Sequence, residues 1–236
     1  MLQTIIVLSG PVECPVLVSR IQSCAPFVRI VPVSTLEDLL VIPRDVLLNA
    51  RLIGFATPVI VPGMVLDALG HGAYNFHPGP PSLPGLCPAH VAVYRGERRF
   101  GVTAHKMVAR VDAGPSVDVS LFDIEPGISV HELEKLSYRE LALLFWKLSP
   151  QLATQPAPLD ELPIGWSGEK SNRRLLAEWS AVPLDVSAEE LDRRVAAFGI
   201  GPFGSTLSVT IHGHRFLLEQ TVEPIAEPAE ARAAAG

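Results

Sequence analysis

Residues 51–78 read RLIGFATPVIVPGMVLDALGHGAYNFHP, and this stretch decides the fold. Arg51–Thr57 is a mostly apolar run of strand length. Pro62–Leu69 has the spacing of a short helix opened by a proline. Ala73–Phe76 is strand-like again and runs into Pro78. Two apolar strands joined through a helix point to a parallel pair, because strands covered on both faces read as continuous apolar runs rather than alternating ones. The same rhythm extends upstream, where Thr4–Ser9 and Val28–Val33 are strand candidates and Val12–Cys24 and Leu36–Leu40 carry helical spacing. The first part of the chain is therefore expected to be α/β, with helices on both faces of a mostly parallel sheet.

Downstream, the pattern predicts a short helix near Ala89–Tyr94, strands at Phe100–Lys106 and Ser116–Ile124, and a long helix over Ser129–Leu148. Ser129 and Glu132 form a capping-box signature at its start. Pro150–Pro163 holds four prolines and reads as a linker. A helix capped by Ser187 and running to Phe198, a turn at Gly199–Gly204, and a hairpin of Leu207–Ile211 with Arg215–Glu219 suggest a second unit. The expected division is 1–150 for the main domain, 151–165 for the linker, 166–222 for a small α+β or β subdomain and 223–236 for an Ala/Glu/Pro-rich disordered tail.

Composition narrows the function classes. With 236 residues and 48% hydrophobic content the chain can build a full core. A net charge of −6 disfavours a nucleic-acid partner, which would need a basic face. Three scattered cysteines, with no C-x-x-C pair, argue against a disulfide framework and a cysteine zinc site, and no metal is expected. The N-terminus lacks the basic n-region of a signal peptide. The uncharged stretch from Ala68 is broken by Gly and Pro, so no membrane span is expected and a cytoplasmic protein is.

The chemistry is concentrated in two segments. Asn75-Phe-His77-Pro-Gly-Pro-Pro-Ser-Leu-Pro-Gly85 places an Asn and a His two apart at a strand's C-terminal end. Such side chains share one face, and open α/β sheets bind ligands beyond their strand ends. Gly101-Val-Thr-Ala-His105 leads to Asp112-Ala-Gly114, with Asp112 35 residues after His77. An amide to stabilise an oxyanion, an imidazole and a carboxylate suit the movement of an acyl group onto an amine.

Taken in order and at their spacing, Asn75-x-His77 with its Pro-rich loop, Gly101-Val-Thr-x-His105 and Asp112-x-Gly114 resemble the 10-formyltetrahydrofolate-dependent formyltransferase family. That family acts on glycinamide ribonucleotide, methionyl-tRNA or sugar nucleotides and includes 10-formyltetrahydrofolate hydrolases. The resemblance covers about Arg51–Phe145, with a weaker match over Trp179–Leu217. It implies a Rossmann-like formyltransferase domain, with Asn75, His77 and Asp112 as the catalytic triad and 10-formyltetrahydrofolate as co-substrate. It also implies a folate pocket at Thr57, Val59, Val61, Met107, Val111 and Gly114. The loop departs from the commoner Ser-Leu-Leu-Pro form, and the C-terminal unit is short for a full tRNA-binding domain.

The implied activity is N-formyl transfer to a small amine, such as an amino sugar nucleotide, with a homodimer as the expected assembly. The alternatives are a methionyl-tRNA formyltransferase-like enzyme, a 10-formyltetrahydrofolate hydrolase, and a non-catalytic folate-binding or scaffold module. Considered singly, His105 reads as a structural histidine. His90 reads as a rim or solvent-facing group, Cys87 as an apolar filler, His212 and His214 as turn residues, and Arg173-Arg174 and Arg193-Arg194 as solvated helix faces, with acceptor-phosphate binding as the alternative.

Overall fold

The computed structural model describes residues 2–199 and 207–219. The chain divides into two compact units, residues 1–176 and 177–236.

The first unit is built on a six-stranded sheet. Its elements run β1 (Thr4–Leu8), α1 (Cys14–Cys24), β2 (Arg29–Val33), α2 (Leu36–Leu40), α3 (Arg44–Leu47), β3 (Ala50–Phe55), α4 (Gly63–Leu66) and β4 (Ala73–His77). They continue with α5 (Pro88–Arg95), β5 (Arg99–Lys106), β6 (Ser116–Asp123) and α6 (Val130–Thr154). The strand order is β2-β1-β3-β4-β5-β6. β2, β1, β3 and β4 pair in parallel, and β5 and β6 are added antiparallel.

Two cores sandwich this sheet. Because side chains alternate along a strand, Ile5, Val7, Ile53 and Phe55 bury on one face against α1 and α6. Ile6, Leu8 and Leu52 bury on the other against Leu39, Leu47 and Val65 of the short helices. On the α6 side, Phe145 meets Phe55 and Phe76 edge-on, with centroids 5.9 and 5.2 Å apart. The mostly parallel α/β sheet expected from residues 51–78 is present.

The predicted long helix extends past its expected end. Ser129 and Glu132 form the capping box, but α6 passes through Pro150 to Thr154. A proline there cannot donate to the carbonyl one turn back, at Trp146. The Arg20 guanidinium supplies a donor to that carbonyl instead, at 2.9 Å, and the Ser149 hydroxyl supplies another at 3.0 Å. The first four residues of the predicted linker are therefore helical.

The rest of that segment, continuing to residue 172, is a strap on the first unit. Leu159 is buried and donates its N–H to the Tyr74 hydroxyl at 2.9 Å. Arg51, fully buried on β3, donates to the carbonyls of His71, Leu152 and Ala157, which fixes the strap's start. The division falls after Leu176 rather than within the expected 151–165 linker, because the strap's backbone finds its hydrogen-bond partners in the first unit.

Helix α7 (Arg173–Ser180) spans the division. The second unit contains β7 (Ala181–Val182), α8 (Ala188–Phe198), β8 (Ser208–Ile211) and β9 (His214–Leu217), with sheet order β7-β8-β9. The hairpin turns at His212-Gly213, both at positive φ, and Ser187 caps α8 as predicted. Most of the Gly199–Gly204 turn and the whole of the tail from Glu223 lie outside the described residues.

Candidate active site

β4 ends at a cleft beyond the strand C-termini. Asn75 and His77, two apart on β4, both line a cavity of about 500 Å³. The Pro-rich loop after β4 is fixed at its base by side-chain donors from neighbouring elements. Ser137 of α6 bonds the Pro78 carbonyl at 3.0 Å, and Thr103 of β5 bonds the Gly79 carbonyl at 2.8 Å. Thr103, quoted with the second motif, thus anchors the loop.

Asp112 comes from the loop between β5 and β6 and is buried. Its φ of +46 is left-handed, a conformation that Asp and Asn tolerate better than most residues. One carboxylate oxygen, Oδ2, accepts the Gly85 backbone N–H at 2.9 Å. The other, Oδ1, lies 3.6 Å from His105 Nε2. The two loops that carry the proposed chemistry are thereby joined.

His105 belongs to the site. It pairs with Asn75 across the β4–β5 ladder, and the Asn75 Nδ2 to His105 Nε2 distance is 3.2 Å. Its Nδ1 is 2.9 Å from the Lys106 carbonyl, which can only accept, so Nδ1 carries the proton. Burial pushes the imidazolium down to about 4, so the ring is neutral near pH 7. Nε2 then holds a lone pair and accepts from the Asn75 amide. With a neutral ring, the 3.6 Å approach to Asp112 is not an ion pair. This tautomer fixes the Asn75 amide: one N–H is bound to His105, the second is left for the cleft, and Oδ1 is buried without a partner among the described residues.

Desolvation likewise lowers the His77 pKa, against an opposing effect of the Asp112 carboxylate. His77 Nε2 lies 3.4 Å from the Leu83 carbonyl, too long to commit its proton firmly. The ring is therefore a neutral hydrogen-bonding group.

One residue that the sequence pattern does not single out organises this cluster. Trp166 of the strap packs edge-on against both imidazoles, with centroids 5.6 Å from His77 and 4.9 Å from His105. Its indole N–H donates to the Gly114 carbonyl at 2.8 Å. Ser167 and Ser171 bond the Pro-rich loop through the Pro81 and Pro84 carbonyls. The only signal in the sequence is an aromatic residue within a Gly/Pro-rich segment, which by itself points nowhere.

Of the residues assigned to a folate pocket, Thr57, Val59, Val61, Met107 and Val111 line the same cavity. Gly114 is not among its lining. A Cβ there would lie 1.9 Å from the Lys106 carbonyl, so this glycine serves the close approach of two backbones. Arg173, read as a solvated helix residue, also lines the cavity. His90 is buried rather than solvent-facing, 3.7 Å from Glu134. Cys87 caps α5 at φ +53. Among the described residues no group of three or more His, Cys, Asp or Glu gathers as a metal site, and no helix is long and apolar enough to cross a membrane.

Residues 52–141 match the family described as Formyl transferase. Methionyl-tRNA formyltransferase from Roseobacter denitrificans is 30% identical over 149 residues, which is 61% of this chain and 46% of that protein. The chain spans about half the length of the curated relatives it matches. A sugar N-formyltransferase from Shewanella sp FDAARGOS_354 shares the fold with a TM-score of 0.74 at 11% identity, over 95% of this chain and 100% of that one. An N-formyltransferase from Helicobacter canadensis, solved with folinic acid and dTDP-3-aminofucose, has a TM-score of 0.64 at 14% identity, over 90% and 85% of the two chains.

Proposed function

We propose that this chain, a relative of the formyltransferases by sequence over residues 52–141 and by fold, moves a formyl group from 10-formyltetrahydrofolate to the primary amine of a small acceptor, such as an amino sugar nucleotide. The observation that carries the reading is the convergence of Asn75, His77, His105 and Asp112 on one cavity. Relatives of this fold that act on sugars, one of them solved with a folate and an amino-sugar nucleotide, support the acceptor class.

The amine nitrogen attacks the formyl carbon, and the carbonyl electron pair moves onto oxygen. The free Asn75 N–H and the His77 imidazole donate to that oxyanion. Asp112 Oδ1, the oxygen not held by Gly85, takes the proton that the amine sheds. Collapse of the adduct re-forms the carbonyl and breaks the bond to N10 of the folate, which leaves with a proton returned from Asp112. His105 acts through Asn75, holding its amide in register. The pterin lies along the apolar wall made by Val59, Val61 and Met107.

The sequence relatives favour a second acceptor, methionyl-tRNA. Incubating the protein with the formyl donor and following tetrahydrofolate release, with an amino sugar nucleotide, with methionyl-tRNA and with no acceptor, tests both. Release dependent on the sugar amine is expected. Release without any amine would instead mark a hydrolase, and failure to bind the folate would mark a scaffold.

A further inference from the structure

The mouth of the cavity is unusually cationic for a chain of net charge −6. Arg110 reaches it from the Asp112 loop, Lys170 from the strap and Arg173 from the first residue of α7. Among the described residues Asp112 is the only Asp or Glu in the lining, and both imidazoles there are neutral. Glu169, beside Lys170, is drawn instead to Arg95 at 3.6 Å. Lys170 is held in place by donating its ammonium to the Val111 carbonyl at 2.8 Å, and its charge contributes to the depressed His77 pKa. Arg110 and Arg173 are exposed and make no side-chain ion pair or hydrogen bond among the described residues. Two guanidinium forks are thus free beside a fixed ammonium.

We infer that Arg110, Lys170 and Arg173 form a subsite for a multiply charged oxyanion group on a substrate of this cavity. Guanidinium forks fit phosphate and carboxylate oxygens in pairs. Three cations against one carboxylate match a group of more than one negative charge. Arg110 and Arg173 are exposed whereas His77 and Asp112 are buried, so the subsite would grip the charged tail of a substrate whose reacting end is among Asn75, His77 and Asp112. In the formyl-transfer reading, on which this identification of the substrates rests, that tail is either an acceptor's diphosphate or the glutamate chain of the donor.

Titration calorimetry of the full chain tests this with inorganic pyrophosphate, and separately with the mono- and pentaglutamate forms of 5-formyltetrahydrofolate. Pyrophosphate is expected to bind, with Arg110→Gln and Arg173→Gln each weakening it at least fivefold and Arg99→Gln, a distant surface charge, leaving it unchanged. Pyrophosphate binding lost in the two variants, with equal affinity for the two folates, would assign the subsite to the acceptor's phosphates. Tighter binding of the pentaglutamate, lost in the two variants, would assign it to the donor. The inference is overturned if neither pyrophosphate binding nor any pentaglutamate advantage responds to Arg110→Gln and Arg173→Gln. Loss of monoglutamate binding in the wild type would instead count against the formyl-transfer reading, while pyrophosphate binding still reports on the subsite.

Discussion

Asp112 Oδ2 accepts the Gly85 backbone N–H at 2.9 Å, so one bond joins the Pro-rich loop after β4 to the loop between β5 and β6. The bond leaves Oδ1 as the oxygen free for proton transfer. Asp112→Asn keeps an acceptor for Gly85 and a residue that tolerates the positive φ, but removes the base. We expect the variant to fold with an unchanged melting temperature and to lose roughly 10²–10⁴-fold in turnover, the usual worth of a positioned acid–base group. Tetrahydrofolate release measures the loss, and full activity would exclude Asp112 as the base.

Asn75→Ala removes the amide N–H assigned to the oxyanion. The expected loss is about 10²–10³-fold in turnover, with much less change in folate affinity, since the donor is used chiefly in the transition state. Steady-state kinetics alongside equilibrium folate binding separates these effects. A variant that loses affinity and keeps turnover would assign Asn75 to ground-state binding.

His105 gives the fold a pH dependence with a definite sign. Its folded pKa of about 4 lies below the ordinary 6.5, so between these values the unfolded chain binds the extra proton. The stabilisation is complete above about pH 6.5 and is lost as pH falls towards 4, amounting to roughly 3 kcal/mol at the acid end. His77 and His90, lowered by burial as well, act in the same direction. Urea unfolding at pH 7.5, 6 and 5 should show a falling midpoint, and His105→Asn should make the fall shallower. A midpoint that rises on acidification would contradict the buried neutral imidazole.

Gly114→Ala should displace the Asp112 loop, because its Cβ would overlap the Lys106 carbonyl. Turnover is expected to fall at least tenfold. Gly127→Ala, which meets no neighbour but also sits at positive φ, should cost only about 1 kcal/mol of stability and leave turnover unchanged. Comparing the two by thermal unfolding and by activity distinguishes loop displacement from a general glycine effect.

Trp166→Leu removes the ring packed on both imidazoles and its bond to Gly114. If the indole positions the histidines, turnover should fall about tenfold or more and the pH profile should shift, while Trp166→Phe recovers part of both. Unchanged profiles in both variants would leave Trp166 a purely structural cover.

Much of this was legible in the residues alone. The apolar runs of β1, β3 and β4 announce a parallel sheet, because strands covered on both faces must be apolar throughout. The capping box at Ser129 announces α6 through purely local hydrogen bonds. The two-residue spacing of Asn75 and His77 places both on one strand face, since that period is fixed by the backbone. The limits were equally physical. The four prolines of 150–163 read as a linker, whereas Pro150 stays helical because Arg20, 130 residues away in sequence, supplies a donor to the carbonyl it leaves orphaned.

By itself the sequence determined most elements of the first unit, helices on both faces of a mostly parallel sheet, and the placing of Asn75 and His77 on one strand face, all consequences of local periodicity. Tertiary structure alone decided that His105 orients Asn75, that Gly85 fixes Asp112, and that the strap and the start of α7 carry Trp166, Lys170 and Arg173 to the site. Those contacts join segments 27 or more residues apart, and no repeat or spacing in a chain encodes which distant groups its packing will bring within hydrogen-bond distance.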